Sequence, residues 1–436
     1  MVIHVVKAGD TVTSVAEAYG VSPPLLGQLN QIEDGRLTVG QTLVVYEKAQ
    51  SYVVRQGETL SGISRQTGVP LRTLWQNNYF LGGGDTLYPG ERLILSTGEE
   101  KQGVLGVNGY AYPFISGGLL REELPYMTYL TPFTYGITPE GGLVPLGDEK
   151  LLEESRRYGT EPWMHLSTWT GERFDSELGA AILGDPALQA RLFDAIEATV
   201  TGGGYGGIDV DFEFLPAYRA ADYAAFIRAL RQRLSPLGRT VVVALAPKTR
   251  ADQPGLLYEA HDYGALGAAA DGVLLMTYEW GYTYGPPMAV APLPQVRQVL
   301  DYALSEMPPE KIFLGVPTYG YDWPLPYERG KTRARSLSPT EAVALARDYG
   351  AEIQFDPQAQ APWFRYTAQD GTVHEVWFED ARSSLAKFSL AAEKGLQGAG
   401  LWNLMRRTPQ TYLVLNGGFT VEEAPPAGTG FSSAPG

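Results

Sequence analysis

The stretch GGIDVDFEF, residues 206–214, sets Asp209, Asp211 and Glu213 at every second position. Ile208, Val210, Phe212 and Phe214 alternate with them, the two-residue period of a β-strand, so three carboxylates share one face and the apolar groups the other. Neighbouring acids in such a column sit about 7 Å apart, from two steps of strand rise. On an inward face they cannot all ionise, because loss of water and mutual repulsion raise at least one pKa. Acids held near neutrality are what general acid–base catalysis requires. A calcium loop is the competing reading, but it would place Gly at its sixth position, here Phe214, and would not intersperse Ile, Val and Phe.

A strand of this kind needs cover on both faces. From about residue 103, apolar runs recur as GVLGVNGY, YMTYLTPFTY, PWMHLST, GGIDVDFEF, TVVVALAPK, GVLLMTYEW, KIFLGVPTYGY and GAGLWNL. Helix-like segments separate most of them, such as DYAAFIRALRQRLSPLG at 222–238, with apolar residues three and four apart. Eight runs predict an α/β fold, a (β/α)8 TIM barrel over 99–421. Ile208, Val210 and Phe212 then face helices, and the acids point into the lumen. Between the seventh and eighth runs, Ser338 and Glu341 form a capping box that predicts a helix, and APWFRYTAQDGTVHEVWFED reads as two strands joined at Asp370-Gly371. About 325–380 therefore forms a small α+β lobe walling one side of a groove, as a polymeric substrate needs. The tail, 422–436, has too little apolar content to fold.

Ahead of the barrel lies a repeat. HVVKAGDTVTSVAEAYGVSPPLLGQLN from His4 matches YVVRQGETLSGISRQTGVPLRTLWQNN from Tyr52. Each copy, 1–48 and 49–98, reads as strand, capped helix, helix, strand, with Thr11 and Thr59 as N-caps.

Composition excludes several classes. The net charge of −15 without basic clusters argues against nucleic-acid and anionic-membrane partners, and no stretch of about 18 apolar residues exists to span a bilayer. With no cysteine, disulfides and thiolate sites are ruled out; the four histidines show no ligand spacing, so no metal site is expected. MVIHVVKAGDTVTSV lacks a basic region followed by an apolar one, so no ordinary secretory signal is expected. The 26 Tyr and 8 Trp fit sugar stacking or simply a large core.

The repeats resemble LysM modules, which bind N-acetylglucosamine-containing glycans. That resemblance implies a ligand groove between the first loop and the loop after the second helix, at Gly9, Asp10, Thr11 and Asn30, and at Gly57, Glu58, Thr59 and Asn78. The acid column, with the MTYE and LWN runs, resembles glycoside hydrolase family 18, whose pattern D-G-x-D-x-D-x-E ends the fourth strand. Gly207, Asp209, Asp211 and Glu213 match it. Gly206 replaces the first Asp, HLSTWT stands in place of S-x-G-G, and Glu279 sits where chitinases usually carry Asp. With the paired repeats, DFEFLP, MTYEWG and VWFED, nearly the whole chain is similar to the spore cortex-lytic glucosaminidases of endospore-forming bacteria.

The resemblance implies retaining hydrolysis after N-acetylglucosamine, in which the substrate's own acetamido carbonyl attacks the anomeric carbon. Glu213, nearest the strand mouth, is then the general acid and later base. Asp211 orients the acetamide, Asp209 shares a proton with it from below, and Tyr278 hydrogen-bonds the acetyl carbonyl. Trp402 forms the floor, Glu279 and Asn403 contact sugar, and Trp169, Trp280, Tyr282, Tyr319 and Trp323 line the groove. No cofactor is implied. The expected partner of a monomeric enzyme is peptidoglycan or a related N-acetylglucosamine polymer, at the spore coat, cortex or cell wall. A chitinase or endo-N-acetylglucosaminidase would use the same residues, and a silent glycan-binding coat lectin is the alternative outside enzymes. Barrels of this family that lose catalysis commonly lose the terminal Glu of the motif; Glu213 is present.

Overall fold

The computed structural model describes residues 1–32 and 34–425, and all counts refer to these residues. Eight parallel strands form the barrel: β1 (Val104–Ala111), β2 (Tyr129–Pro132), β3 (Glu161–Ser167), β4 (Gly207–Asp211), β5 (Thr240–Leu245), β6 (Gly272–Leu275), β7 (Ile312–Pro317) and β8 (Gly398–Trp402). Each pairs with its successor, and β8 closes on β1 with Gly398 opposite Gly106. A short strand, Thr420–Val421, adds to the outer part of β1.

The alternation in β4 resolves as its sequence predicts. Ile208, Val210 and Phe212 join the large cluster beneath the helices, while Asp209 lies level with His165 of β3 and Val242 of β5. Phe212 stacks on Tyr223 and packs on Phe226 of the covering helix Ala220–Leu234, with ring centroids 5.6 and 5.5 Å away. The lower lumen is plugged by Tyr129, Trp163, Val242, Leu274 and Phe313. Beneath this plug the Glu161 carboxyl accepts from the Trp163 indole at 3.2 Å, and the catalytic acids lie above it. Strand pairing ends at Asp211, so Glu213 and Phe214 belong to the loop beyond it. Phe214 departs from the apolar face: it turns at φ +56° and is 37% exposed.

After β7 the chain builds an antiparallel sheet in the order Arg335–Leu337, Gly320–Leu325, Val373–Trp377, Ala361–Thr367, Gln354–Asp356. The hairpin turns as expected, with Gly371 at φ +87° and Thr372 N–H donating to Asp370 Oδ1 at 2.9 Å. Helix Pro339–Asp348 starts at the Ser338 and Glu341 capping box. Gly320 and Tyr321 read in sequence as the end of the seventh run, with the lobe starting at about 325, but the strand Gly320–Leu325 already belongs to this lobe. A side chain at 320 would meet the Trp377 carbonyl 2.3 Å from its Cβ, so only glycine permits that pairing.

Each N-terminal repeat is a strand–helix–helix–strand unit, pairing Val2–Val5 with Thr42–Val45 and Gln50–Val53 with Arg92–Ser96. Both units seat against the rest of the chain. Tyr46 donates to the Leu413 carbonyl at 2.6 Å, and Ile353 N–H donates to Val39 O at 3.0 Å. The Arg72 guanidinium donates to Pro125 and Met127 carbonyls at 2.9 and 2.8 Å, and Trp75 packs on Tyr158. Of the expected tail, residues 426–436 lie outside the described residues; Glu422 is tied down, its N–H donating to Leu105 O at 2.9 Å.

Candidate active site

Asp209 is fully buried in the lumen, and Tyr110 of β1 donates to its Oδ2 at 2.5 Å while Oδ1 has no partner. Burial lifts its pKa to about 6, and the Tyr110 hydrogen bond draws it the other way. Asp211, one step higher, places Oδ2 3.8 Å from His165 Nε2, and its Oδ1 also lacks a partner. Burial, then the charges of Glu213 and Asp209, hold this carboxyl well above the usual range. Glu213 is half-buried past the strand end, and burial pushes it up to about 7.

The neighbouring imidazole does not offset these charges. His165 is buried, and desolvation presses its pKa down to about 3, so it is neutral at pH 7. Its Nδ1 lies 2.6 Å from Thr134 Oγ1, which donates onward to Ser167 at 3.0 Å. With no cation supplied, Asp211 and Glu213 titrate as a coupled pair that retains a proton near neutrality, with Asp209 raising Asp211 from below.

Asp211 and Glu213 open into a cavity of about 260 Å³, shared with Tyr278, Trp402, Trp169 and Glu279. Tyr278 is buried, its ring nearly parallel to Trp402 at 6.4 Å. Burial and the carboxylates around it keep its phenol protonated, hence a hydrogen-bond donor. Glu279 sits at φ +67° and accepts from Tyr319 and, at 3.0 Å, from Tyr321. Two non-glycine residues in the left-handed region, Phe214 and Glu279, thus flank the acids, each at a cost of about 1–3 kcal/mol. The surrounding fold over-determines them, as it does at many functional sites.

Other expected contacts lie elsewhere. Tyr319 is buried and reaches the site through Glu279. Asn403 uses its side-chain oxygen on Met405 N–H at 3.2 Å. Trp280 packs partly against the core, and Trp323 is fully buried in the lobe sheet, its indole N–H on the Gly285 carbonyl at 2.8 Å. Tyr282 is exposed on the loop after β6.

In the repeats the expected glycan contacts are engaged internally. Asn30 is buried, donating to Leu26 and Val44 carbonyls and accepting from Val44 N–H, so it clamps the second helix to the closing strand. Asn78 does the same with Leu74 and Ile94. Asp10 accepts from Lys7 N–H and faces His4; Glu58 accepts from Arg55 N–H and the Tyr52 hydroxyl. Thr11 and Thr59 cap their helices, and Gly9 and Gly57 turn at φ +92° and +82°.

Sequence reasoning missed Tyr110, His165, Tyr112, Phe133 and Phe174, which also line the cavity. His165 had a signal: it alternates with Trp163 and Ser167 on one face of β3. A search for metal spacing passes over that parity. The departure at Gly206 also gains a physical account. A Cβ there would lie 1.9 Å from the Glu161 carboxyl, so a carboxyl from β3 fills the space that a residue-206 side chain would take.

Residues 168–406 match the glycosyl hydrolases family 18, and residues 4–45 and 52–96 each match the LysM domain. The chain is 40% identical to the cortical fragment-lytic enzyme of Bacillus subtilis (strain 168), over 97% of this chain and 99% of that one. It superposes on the spore cortex-lytic enzyme SleL of Bacillus megaterium QM B1551 with a TM-score of 0.82 and 35% identity, covering 97% and 98% of the two chains. A chitinase from Chromobacterium violaceum ATCC 12472 shares the barrel at a TM-score of 0.66 and 26% identity, over 72% of this chain and 98% of that one. With its acid column at the mouth of a closed parallel barrel, the chain belongs to glycosyl hydrolase family 18 and carries two LysM domains at its N-terminal end.

Proposed function

We propose that the chain hydrolyses spore-cortex peptidoglycan, cleaving after N-acetylglucosamine with retention through its substrate's own acetamido group. One observation carries the mechanism: Asp211 Oδ1 is buried and unpartnered beside a cavity it shares with Glu213 and Tyr278. An acetamide N–H satisfies that oxygen, and the Tyr278 hydroxyl donates to the acetamide carbonyl. Glu213, protonated because burial raises its pKa, gives its proton to the leaving glycosidic oxygen. The acetamide oxygen attacks the anomeric carbon as the glycosidic bond breaks, forming an oxazolinium ion whose charge Asp211 stabilises. Glu213, now a carboxylate, takes a proton from water as that water opens the ring, restoring the starting configuration. Trp402 lies beneath the sugar as an apolar floor.

The substrate class is supported by the names of the similar enzymes, one cortical fragment-lytic and one spore cortex-lytic, and by the two LysM domains. Action at the spore cortex or cell wall follows from the same reading. The test offers purified protein cortex peptidoglycan, vegetative peptidoglycan and chitin oligomers, with products identified by mass and the fresh anomer read by proton NMR. N-acetylglucosamine-ended cortex fragments formed first as the β-anomer are expected. Cleavage of chitin alone makes the chain a chitinase, and initial α-anomer excludes retention.

A further inference from the structure

A second cavity, about 270 Å³, opens where the first LysM domain meets the lobe and the barrel. Gln31 and Ile32 of the first domain form one wall, Val343 and Ala344 of helix Pro339–Asp348 another, and Phe378 with Thr408 the third. The wall is pre-formed. Thr42 donates to Gln410 Oε1 at 2.5 Å, and a Cβ on Gly40 would strike the Ile353 carbonyl at 1.9 Å, so domain and lobe are in direct contact.

Charge identifies the class of ligand. Every charged side chain among the described lining residues already has an opposite partner: Asp34 with Arg36 and Arg347, Glu379 with Lys387, and Asp380 with Arg382. What remains is neutral hydrogen-bonding capacity over an apolar floor. Glu379 Oε1 and Thr408 Oγ1, on residues each about 1% exposed, have no partner at full hydrogen-bond geometry, Glu379 facing Ser383 and Thr408 the Tyr412 hydroxyl. Hydroxyls and an acetamide N–H match those acceptors, and an acetyl methyl matches Ile32, Val343 and Phe378. A charged peptide stem would find no free countercharge.

Position fits as well. Thr408 precedes helix Pro409–Gly418, which follows β8, so the cavity lies at the strand ends that present Glu213. Trp402 lines the catalytic cavity and Thr408 this one; six residues span at most about 22 Å, within reach of one oligosaccharide. We propose that this cavity is a second subsite, holding an N-acetylglucosamine ring of the strand being cut. It is built jointly by the first LysM domain, the lobe and the barrel, and it rests on the peptidoglycan reading above. Holding the strand at two points raises its local concentration at Glu213.

Two variants fill the cavity: Thr340→Trp at its exposed edge and Ala344→Trp deeper in. KM for cortex glycan strands is expected to rise about tenfold, with kcat and all kinetics on a short aryl glycoside unchanged. An unchanged KM for strands in folded variants overturns the proposal. Separately, Phe378→Trp in a Glu213→Gln background places a fluorophore on the floor for titration with N-acetylglucosamine tetramer. A saturable change beyond that of Glu213→Gln alone, whose Trp402 and Trp169 report the catalytic cavity, is expected, and a change no larger than that control overturns the subsite. A response to free stem peptide but not to tetramer overturns the ligand class. If the wild type cleaves neither strand nor glycoside, the hydrolase reading fails, while the titration still judges the cavity.

Discussion

At neutral pH the column of Asp209, Asp211 and Glu213 holds protons that an unfolded chain would have released, since burial raises all three above ordinary carboxylate values. A raised folded pKa adds stability that is fully present below the unfolded value and is lost as pH climbs through the folded one. For Glu213 that window runs from about 4.5 to about 7. Wild type should therefore lose stability between pH 5 and 8, and Glu213→Gln should lose about 2 kcal/mol less, allowing for its partial exposure. Urea unfolding at the two pH values measures the difference. The same proton governs rate: kcat/KM should fall as pH rises through about 7, where Glu213 ceases to be an acid. Tyr110→Phe leaves Asp209 Oδ2 buried without its donor, a loss of about 1–3 kcal/mol in the same unfolding assay. The acids were legible from their two-residue alternation. His165 carried a signal in the alternation of β3, but that it and Tyr110 face the acids depends on barrel register, which no local pattern states.

Among elements, β4 shows how a strand is fastened so that its far end can present an acid. Phe212, between the last two acids, packs against Tyr223 and Phe226 of the covering helix. Phe212→Ala should cost about 3–5 kcal/mol in chemical denaturation, because it empties a closed contact. At the other end, Gly206→Ala should destabilise by about 1–3 kcal/mol by displacing the Glu161 carboxyl, and Glu161→Gly in the same chain should recover most of it. Additive losses in that double-mutant cycle would contradict the account of Gly206. Capping residues at Thr11, Thr59 and Ser338 and the Asp370-Gly371 turn were visible locally, since each is set by side-chain and backbone chemistry within a few residues. The short strands Arg335–Leu337 and Gln354–Asp356, and the detour of Gly320–Leu325, were not, because their pairing partners are distant in sequence. Trp323 was misread for the same reason, as its burial depends on that detour.

For the whole molecule, the two LysM domains are parts of one body. Arg72 donates to two carbonyls on the segment leading into β2, Tyr79 stacks on Tyr412 at 5.7 Å, and Tyr46 reaches the last helix. Calorimetry of the full chain should show one cooperative transition, and Arg72→Ala should lower its midpoint without splitting it. Separate transitions would mean that the domains unfold independently. Both the repeats and the barrel could be read from sequence, but their docking could not, since it rests on side chains with no periodic signature. The claim on which everything else depends is that Glu213 delivers the proton. The most direct measurement compares cortex peptidoglycan cleavage by wild type and Glu213→Gln, counting reducing ends while sedimentation with peptidoglycan confirms equal binding. A fall in kcat of about 100- to 10,000-fold with binding intact is predicted. A variant that cuts at the wild-type rate would contradict the account.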